Sequence, residues 1–192
     1  MNLVDHFLVS MPGMEDPQFE GTVVYVCEHN DQGAVGVVIN QASDITVSDL
    51  FERIELDLPG DDNAKLASTR VLNGGPVQSE RGFVLHEPQQ PYLATIAVGG
   101  ADGQRALTTS RDVLEAVSDG KGPRQLLIAL GYSGWSKGQL ETEIAKNAWL
   151  TIPAGSAGAD ILWNTPLPKR KDAAIRLLGI DPSLLTGFAG RA

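Results

Sequence analysis

The chain has 192 residues, 42% apolar and 20% charged, which excludes a disordered class and suits one domain burying about 70% of its unfolded surface. Acids outnumber bases 24 to 15, and the resulting net charge of −9 repels phosphate backbones and disfavours direct nucleic-acid binding. A single cysteine, Cys27, excludes an internal disulfide and a cysteine-rich zinc site; with no basic leader and no apolar run near the roughly 18 residues of a membrane-spanning helix, a reducing, cytoplasmic setting is expected.

In chain order, residues 6–10 are a short apolar strand stopped by Met11-Pro12-Gly13. Residues 22–28 are β-branched and aromatic, and residues 34–39 are their near twin. The intervening His29-Asn30-Asp31-Gln32-Gly33, with Gly33 to take a positive φ, predicts an antiparallel hairpin. Thr46, with Asp49 three positions on, predicts a capped helix bearing Val47, Leu50, Phe51 and Ile54. Residues 57–63 are acidic and turn-rich, as a solvated loop would be.

Strands are expected at residues 70–72, 82–86 and 94–98, and a helix at 110–117 with Ser110 as its cap, closed by Asp119-Gly120-Lys121-Gly122-Pro123. Residues 125–130 form the most apolar run, without alternation, and so predict a central strand covered on both faces. Ser136-Lys137-Gly138-Gln139 has the spacing of a capping box for a helix to about Asn147, and residues 149–152 return as a strand. Thr165-Pro166 predicts an N-cap and a first helical proline for a last helix closed by Gly179, with fraying from Gly187. Strands largely precede helices and tight turns join them. The expected fold is therefore a single α+β domain: a mixed, mainly antiparallel sheet or partly closed barrel flanked by helices, an α/β sandwich.

Catalytic patterns fall short of completion. Leu130-Gly131-Tyr132-Ser133-Gly134-Trp135 begins like a nucleophile elbow, but Trp135 replaces the required glycine, and the polar stretch reads as a loop before the capping box. His6, His29 and His86 all precede Ser133, which defeats the serine–acid–histidine order of α/β-hydrolases. Gly74-Gly75-Pro76-Val77 could form an anion nest, but Pro76 lacks an N–H and no Lys-Ser/Thr follows; Gly99-Gly100-Ala101-Asp102-Gly103 reads as a turn. Cys27 and His29 supply two potential ligands, too few for a metal site. Glu141 and Glu143 diverge around a helix as a first-turn charge and a surface charge. Lys169-Arg170-Lys171 with Arg176 reads as a solvated face, and Trp135, Trp149 and Trp163 as core. No cofactor and no metal are expected.

Several blocks together resemble the signature of the bacterial AlgH/YqgE family. They are Phe7-Leu8-Val9-Ser10-Met11-Pro12, Tyr25-Val26-Cys27-Glu28-His29-Asn30, Gly33-Ala34-Val35-Gly36-Val37-Val38-Ile39-Asn40, Gly74-Gly75-Pro76-Val77, Arg81-Gly82-Phe83-Val84-Leu85-His86 and Gly131-Tyr132-Ser133-Gly134-Trp135, followed by Gly138-Gln139-Leu140-Glu141. The resemblance implies a compact α/β protein, some members of which carry the label of transcriptional regulator. It further implies that a shared surface, if present, is lined by Asn40, Gly74, Gly75, Pro76, Arg81, His86, Tyr132, Trp135 and Glu141; these positions equally suit turns and strand ends. The leading expectation is a non-enzymatic binding or regulatory protein acting through a protein or small-molecule partner, with any regulation of transcription indirect. The alternative is a hydrolase-type enzyme using Ser133 or His86, and direct DNA binding comes third.

Overall fold

The computed structural model describes residues 1–58, 64–99 and 105–186. Most of the acidic loop, the turn from Gly100 and the tail from Gly187 lie outside the described residues. The elements run β1 (His6–Ser10), β2 (Val23–Asn30), β3 (Gly33–Val38), β4 (Ala42–Thr46), α1 (Val47–Arg53), α2 (Ala64–Ala67), β5 (Arg70–Asn73), β6 (Val77–His86), β7 (Thr95–Val98) and β8 (Arg105–Thr108). They continue as α3 (Asp112–Ser118), β9 (Leu126–Ser136), α4 (Gln139–Ala145), β10 (Trp149–Pro153), α5 (Gly158–Trp163), α6 (Arg170–Arg176) and α7 (Ser183–Thr186).

The strands form one curled sheet in the order β10-β1-β2-β3-β9-β6-β8-β7, with β4 and β5 branching from it. Every pairing is antiparallel except β5 with β9. The expected single α+β domain with a mainly antiparallel, partly closed sheet is what the chain forms. The β2–β3 hairpin turns tightly through Asp31-Gln32, and Gly33 has the positive φ of 141° expected of it.

Two-residue alternation sends successive side chains to opposite faces, and both faces are covered. Phe7, Val9, Val23, Tyr25 and Cys27 point into the concave core with Ile161, Leu162, Ala174 and Ile175 of α5 and α6. Leu8, Val24 and Val26 point the other way, against Trp135, Leu140 and Trp149. A third cluster packs Val47, Leu50 and Phe51 of α1 and Val113, Leu114 and Val117 of α3 on Val71, Val84 and Ile128. Each large side chain so buried contributes about 1.5–3 kcal/mol.

β9 organises the sheet, as its apolar run predicts, but it continues beyond Leu130. Residues Leu126 to Leu130 pair with β6 and β5, and Ser133 to Ser136 pair with β3. The Gly131-Tyr132-Ser133-Gly134-Trp135 stretch is thus strand where a loop is expected, because β3 supplies partners that its glycines and serine do not advertise. Gly131, at φ 75°, makes the corner at which β9 passes from one set of partners to the other.

Other expectations are corrected. The capping box at Thr46–Asp49 forms, but Gly138, not Ser136, precedes α4; Gln139 reaches back to the Ser136 N–H while the Ser136 hydroxyl donates to the same Gln139 oxygen. Ser110 does not cap α3: its hydroxyl accepts from the Ala94 N–H and donates to Asp112. Thr165 does not cap α6, since a 3-10 turn over Leu167–Lys169 intervenes and its hydroxyl donates to Asp160 O. The polar β4, the four-residue β8 and the short α5 carry too little periodicity to be read locally; tertiary pairing and packing decide them.

Candidate functional site

The glycine blocks that resemble an anion nest and a nucleophile elbow are two halves of one packing feature. Gly74 N–H donates to Leu130 O at 2.8 Å, Gly74 O accepts from Val38 N–H, and the Ser133 hydroxyl donates to Gly74 O at 3.3 Å. A Cβ on Gly75 (φ 147°) would stand 2.3 Å from Tyr132 O, and one on Gly131 would stand 2.3 Å from Gly75 O. The backbones touch, so only hydrogen fits between them. Ser133 is fully buried.

Beyond this contact, Tyr132 and Trp135 emerge beside two clefts. One, about 380 Å³, lies between the β2–β3 hairpin and β9, walled by Glu28, Asn30, Val35, Val77, Tyr132 and Trp135. The other, about 430 Å³, is the more enclosed and is walled by Met14, Glu15, Phe19, Trp135, Glu143 and Lys146. Trp135 is common to both. Its ring stands edge-on to Trp149 at 5.9 Å, and Phe19 packs on both indoles. One oxygen of Glu143 accepts both indole N–H groups at 2.8 Å, and its other oxygen accepts from Gln139. The expectation of a surface charge at Glu143 is therefore overturned: the carboxylate satisfies two indoles that would otherwise bury unpaired donors.

Glu141 lies on the neighbouring face of α4, where the His29 ring meets it at 2.9 Å. His29 Nδ1 accepts from the Leu3 N–H, so Nε2 carries the proton and donates to Glu141. The Glu141 carboxyl is held below the usual range by its own backbone N–H and then by His29.

The remaining positions of the anticipated surface disperse. The Asn40 side chain accepts from Val23 N–H and donates to Gly21 O, tying strand ends together. Gly75 and Pro76 line a separate shallow cleft of about 320 Å³. Arg81 is exposed, reaching Gln78 and Thr109 with its guanidinium over Phe83. His86 is fully buried between Thr108 Oγ1 and Glu87 O, its ring edge-on to Tyr92. Of the nine, Tyr132 and Trp135 thus share one cleft and Gly75 and Pro76 another.

Burial keeps the His86 pKa below its ordinary 6.5. Below that value the unfolded chain binds a proton that the folded ring refuses, so this contribution to stability is complete above 6.5 and is lost on acidification. Urea unfolding at about pH 7.5 and about pH 5.5 is expected to show the loss, and a His86→Gln variant to shrink it.

Two buried arginines escape sequence reasoning. Arg105, 2% exposed, donates to Asp5 Oδ1 at 2.5 Å and to Gly155 O at 2.6 Å, and stands over the Tyr25 ring. The Tyr25 hydroxyl donates to the same Asp5 oxygen at 2.7 Å, and burial followed by this bond pushes the hydroxyl's pKa up. Arg170, read in the sequence as part of a solvated face, is 5% exposed and donates to the carbonyls of Thr165, Ile39 and Leu162. Nothing in the local sequence marks either as buried. Cys27 is also buried; its thiol donates to Tyr25 O, and burial raises its pKa, which keeps it a thiol. Among the described residues no group of three or more His, Cys, Asp or Glu is placed to hold a metal ion, and no helix is long and apolar enough to cross a membrane.

A curled, mainly antiparallel sheet with a glycine-locked corner and helices on both faces defines a family, and comparison identifies it. The chain belongs to the AlgH-like family, whose model matches residues 7–183. It is 50% identical over 192 residues to UPF0301 proteins of Ralstonia nicotianae and Cupriavidus pinatubonensis, covering 100% of this chain and 96% of each relative. The solution structure of the AlgH protein from Pseudomonas aeruginosa is similar, with a TM-score of 0.78 and 46% identity over 100% of this chain and 97% of that one. Protein DIP2367 from Corynebacterium diphtheriae shares the fold, with a TM-score of 0.60 at 20% identity over 89% and 92% of the two chains.

Proposed function

We propose that this protein is a binding protein without a catalytic centre at Ser133 or His86, and that a protein or small-molecule partner engages the clefts beside Trp135; any effect on transcription would pass through that partner. The observation that carries this reading is Trp135 itself, a rigid aromatic wall shared by two clefts with its N–H already satisfied by Glu143. At 5% exposure Trp135 has little area left to bury, so it acts as a pre-ordered wall that fixes the shape of both clefts while their rims supply the contacts. Against an enzyme, Ser133 and His86 are both fully buried and spend their hydrogen bonds on Gly74, Glu87 and Thr108.

A thermal-shift screen of metabolites and co-purifying proteins, with the Trp135 indole resonance as the local readout, tests the proposal. A genuine ligand at about a hundred times its dissociation constant should add about 2.7 kcal/mol to stability. Charge reversals at the rim, Glu15→Lys and Lys146→Glu, should weaken the effect without unfolding the chain. Failure of every candidate to move the Trp135 resonance would overturn the reading, as would a DNA complex that survives moderate salt.

A further inference from the structure

At the opposite end of β9 lies a cleft with a different character. It is about 470 Å³, and its described lining holds Lys65, Arg124 and Arg170 but no Asp or Glu. In a chain with 24 acids and 15 bases that lining inverts the composition. Its apolar wall is Trp163, half-buried, with Leu127 and Leu126 at the start of β9. An eleven-residue strand spans about 35 Å, so this cleft is remote from the clefts beside Trp135 and shares no lining residue with them.

Arg170 anchors the floor. It is 5% exposed, and its Nε, Nη1 and Nη2 each donate to one backbone carbonyl, at 3.0, 2.5 and 2.8 Å. Three bonds occupy three of five guanidinium N–H groups. Among the described residues no carboxylate pairs with it. Carbonyl dipoles satisfy geometry but leave a full positive charge in a desolvated place, and such a charge is normally offset by a counter-ion. The wall carrying Arg124 is ordered: Gly120 and Lys121 N–H close the end of α3 on Val117 O and Ala116 O, and Gln125 O accepts from Glu87 N–H.

We infer that this cleft binds a small organic anion, a phosphate ester with an aromatic or apolar body, its charged oxygens held by Lys65, Arg124 and Arg170 and its body laid on Trp163 and Leu127. Three cations suit a doubly charged head better than a carboxylate, because each charge-assisted bond to phosphate adds its own contribution. The negative field of the molecule as a whole makes the affinity depend on this local cluster and on salt.

The test is a two-dimensional NMR titration of the full chain at low salt with phenyl phosphate, benzoate and benzyl alcohol, three ligands with one ring and falling charge. Phenyl phosphate is expected to shift the Trp163 indole and the backbone amides of Gly120, Gly122 and Arg124, and benzyl alcohol to leave them in place. Lys65→Ala with Arg124→Ala, both exposed, should weaken phenyl phosphate about tenfold or more, each lost charge-assisted bond counting. The melting temperature of this variant should stay at the parent value; Arg170 is left intact because its loss would also free three carbonyls. Equal shifts from benzoate would overturn the assignment to phosphate esters. Equal shifts from benzyl alcohol, an unchanged affinity in the double variant, or shifts confined to other surfaces would overturn the site.

Discussion

Gly75→Ala is expected to destabilise the protein by about 3–5 kcal/mol, and Gly131→Ala by a similar amount, as lower denaturation midpoints with an unchanged denaturant slope. The reason is contact between backbones. A methyl group at 75 would meet Tyr132 O at 2.3 Å and Ser133 N at 2.5 Å, and one at 131 would meet Gly75 O at 2.3 Å. Side chains turn aside cheaply, whereas these atoms belong to β9 and the loop before β6 and are held by the hydrogen bond from Gly74 N–H to Leu130 O. Both positions also have positive φ: Gly131, at 75°, lies near the left-handed helical region, where an alanine adds strain of about 1–2 kcal/mol, and Gly75, at 147°, holds a conformation that L side chains rarely adopt. Because the two glycines face one contact, the double variant should cost less than the sum. A loss below about 1 kcal/mol for either would mean that the corner yields, and that the glycine blocks serve something other than packing.

Arg105→Met is expected to cost about 3 kcal/mol, a fall in melting temperature of roughly 6–12 °C for a chain of this size. The guanidinium is 2% exposed and the Asp5 side chain 20%. Removing the cation leaves a partly desolvated carboxylate with only the Tyr25 hydroxyl to support it, and leaves Gly155 O with the longer bond from Gly158 N–H alone. Water reaching Asp5 limits the damage, which places the estimate at the low end for a broken buried pair. Asp5→Asn combined with Arg105→Met should be milder than Arg105→Met alone, since no charge is then stranded. Equal losses in the single and double variants would show that packing of the long side chain, and not its charge, is what the fold uses. The pair joins the residue before β1 to β8 across 100 residues of sequence.

Much of the architecture is legible in the residues. β-branched runs mark β2 and β3, the unbroken apolar run marks β9 as central, and Thr46 with Asp49 marks the start of α1. The strand content and tight turns carry the α+β class, and the signature blocks carry the family. These are local properties: residue volume, branching, side-chain period and capping chemistry act within a few positions and leave a trace in each segment.

Pairing and burial are not local. Ser133 reads as a loop serine until β3 pairs beside it, and Glu143 reads as a surface charge until two indoles from β9 and β10 converge on it. Arg170 sits in a run of bases that any local rule places in water, yet α6 turns it onto carbonyls of α5 and of Ile39, 131 residues earlier. The sequence by itself determined the fold class, the central strand and the family. Only the tertiary structure decided which polar groups are buried, because the free energy of a charge or hydroxyl depends on partners that chain proximity does not name.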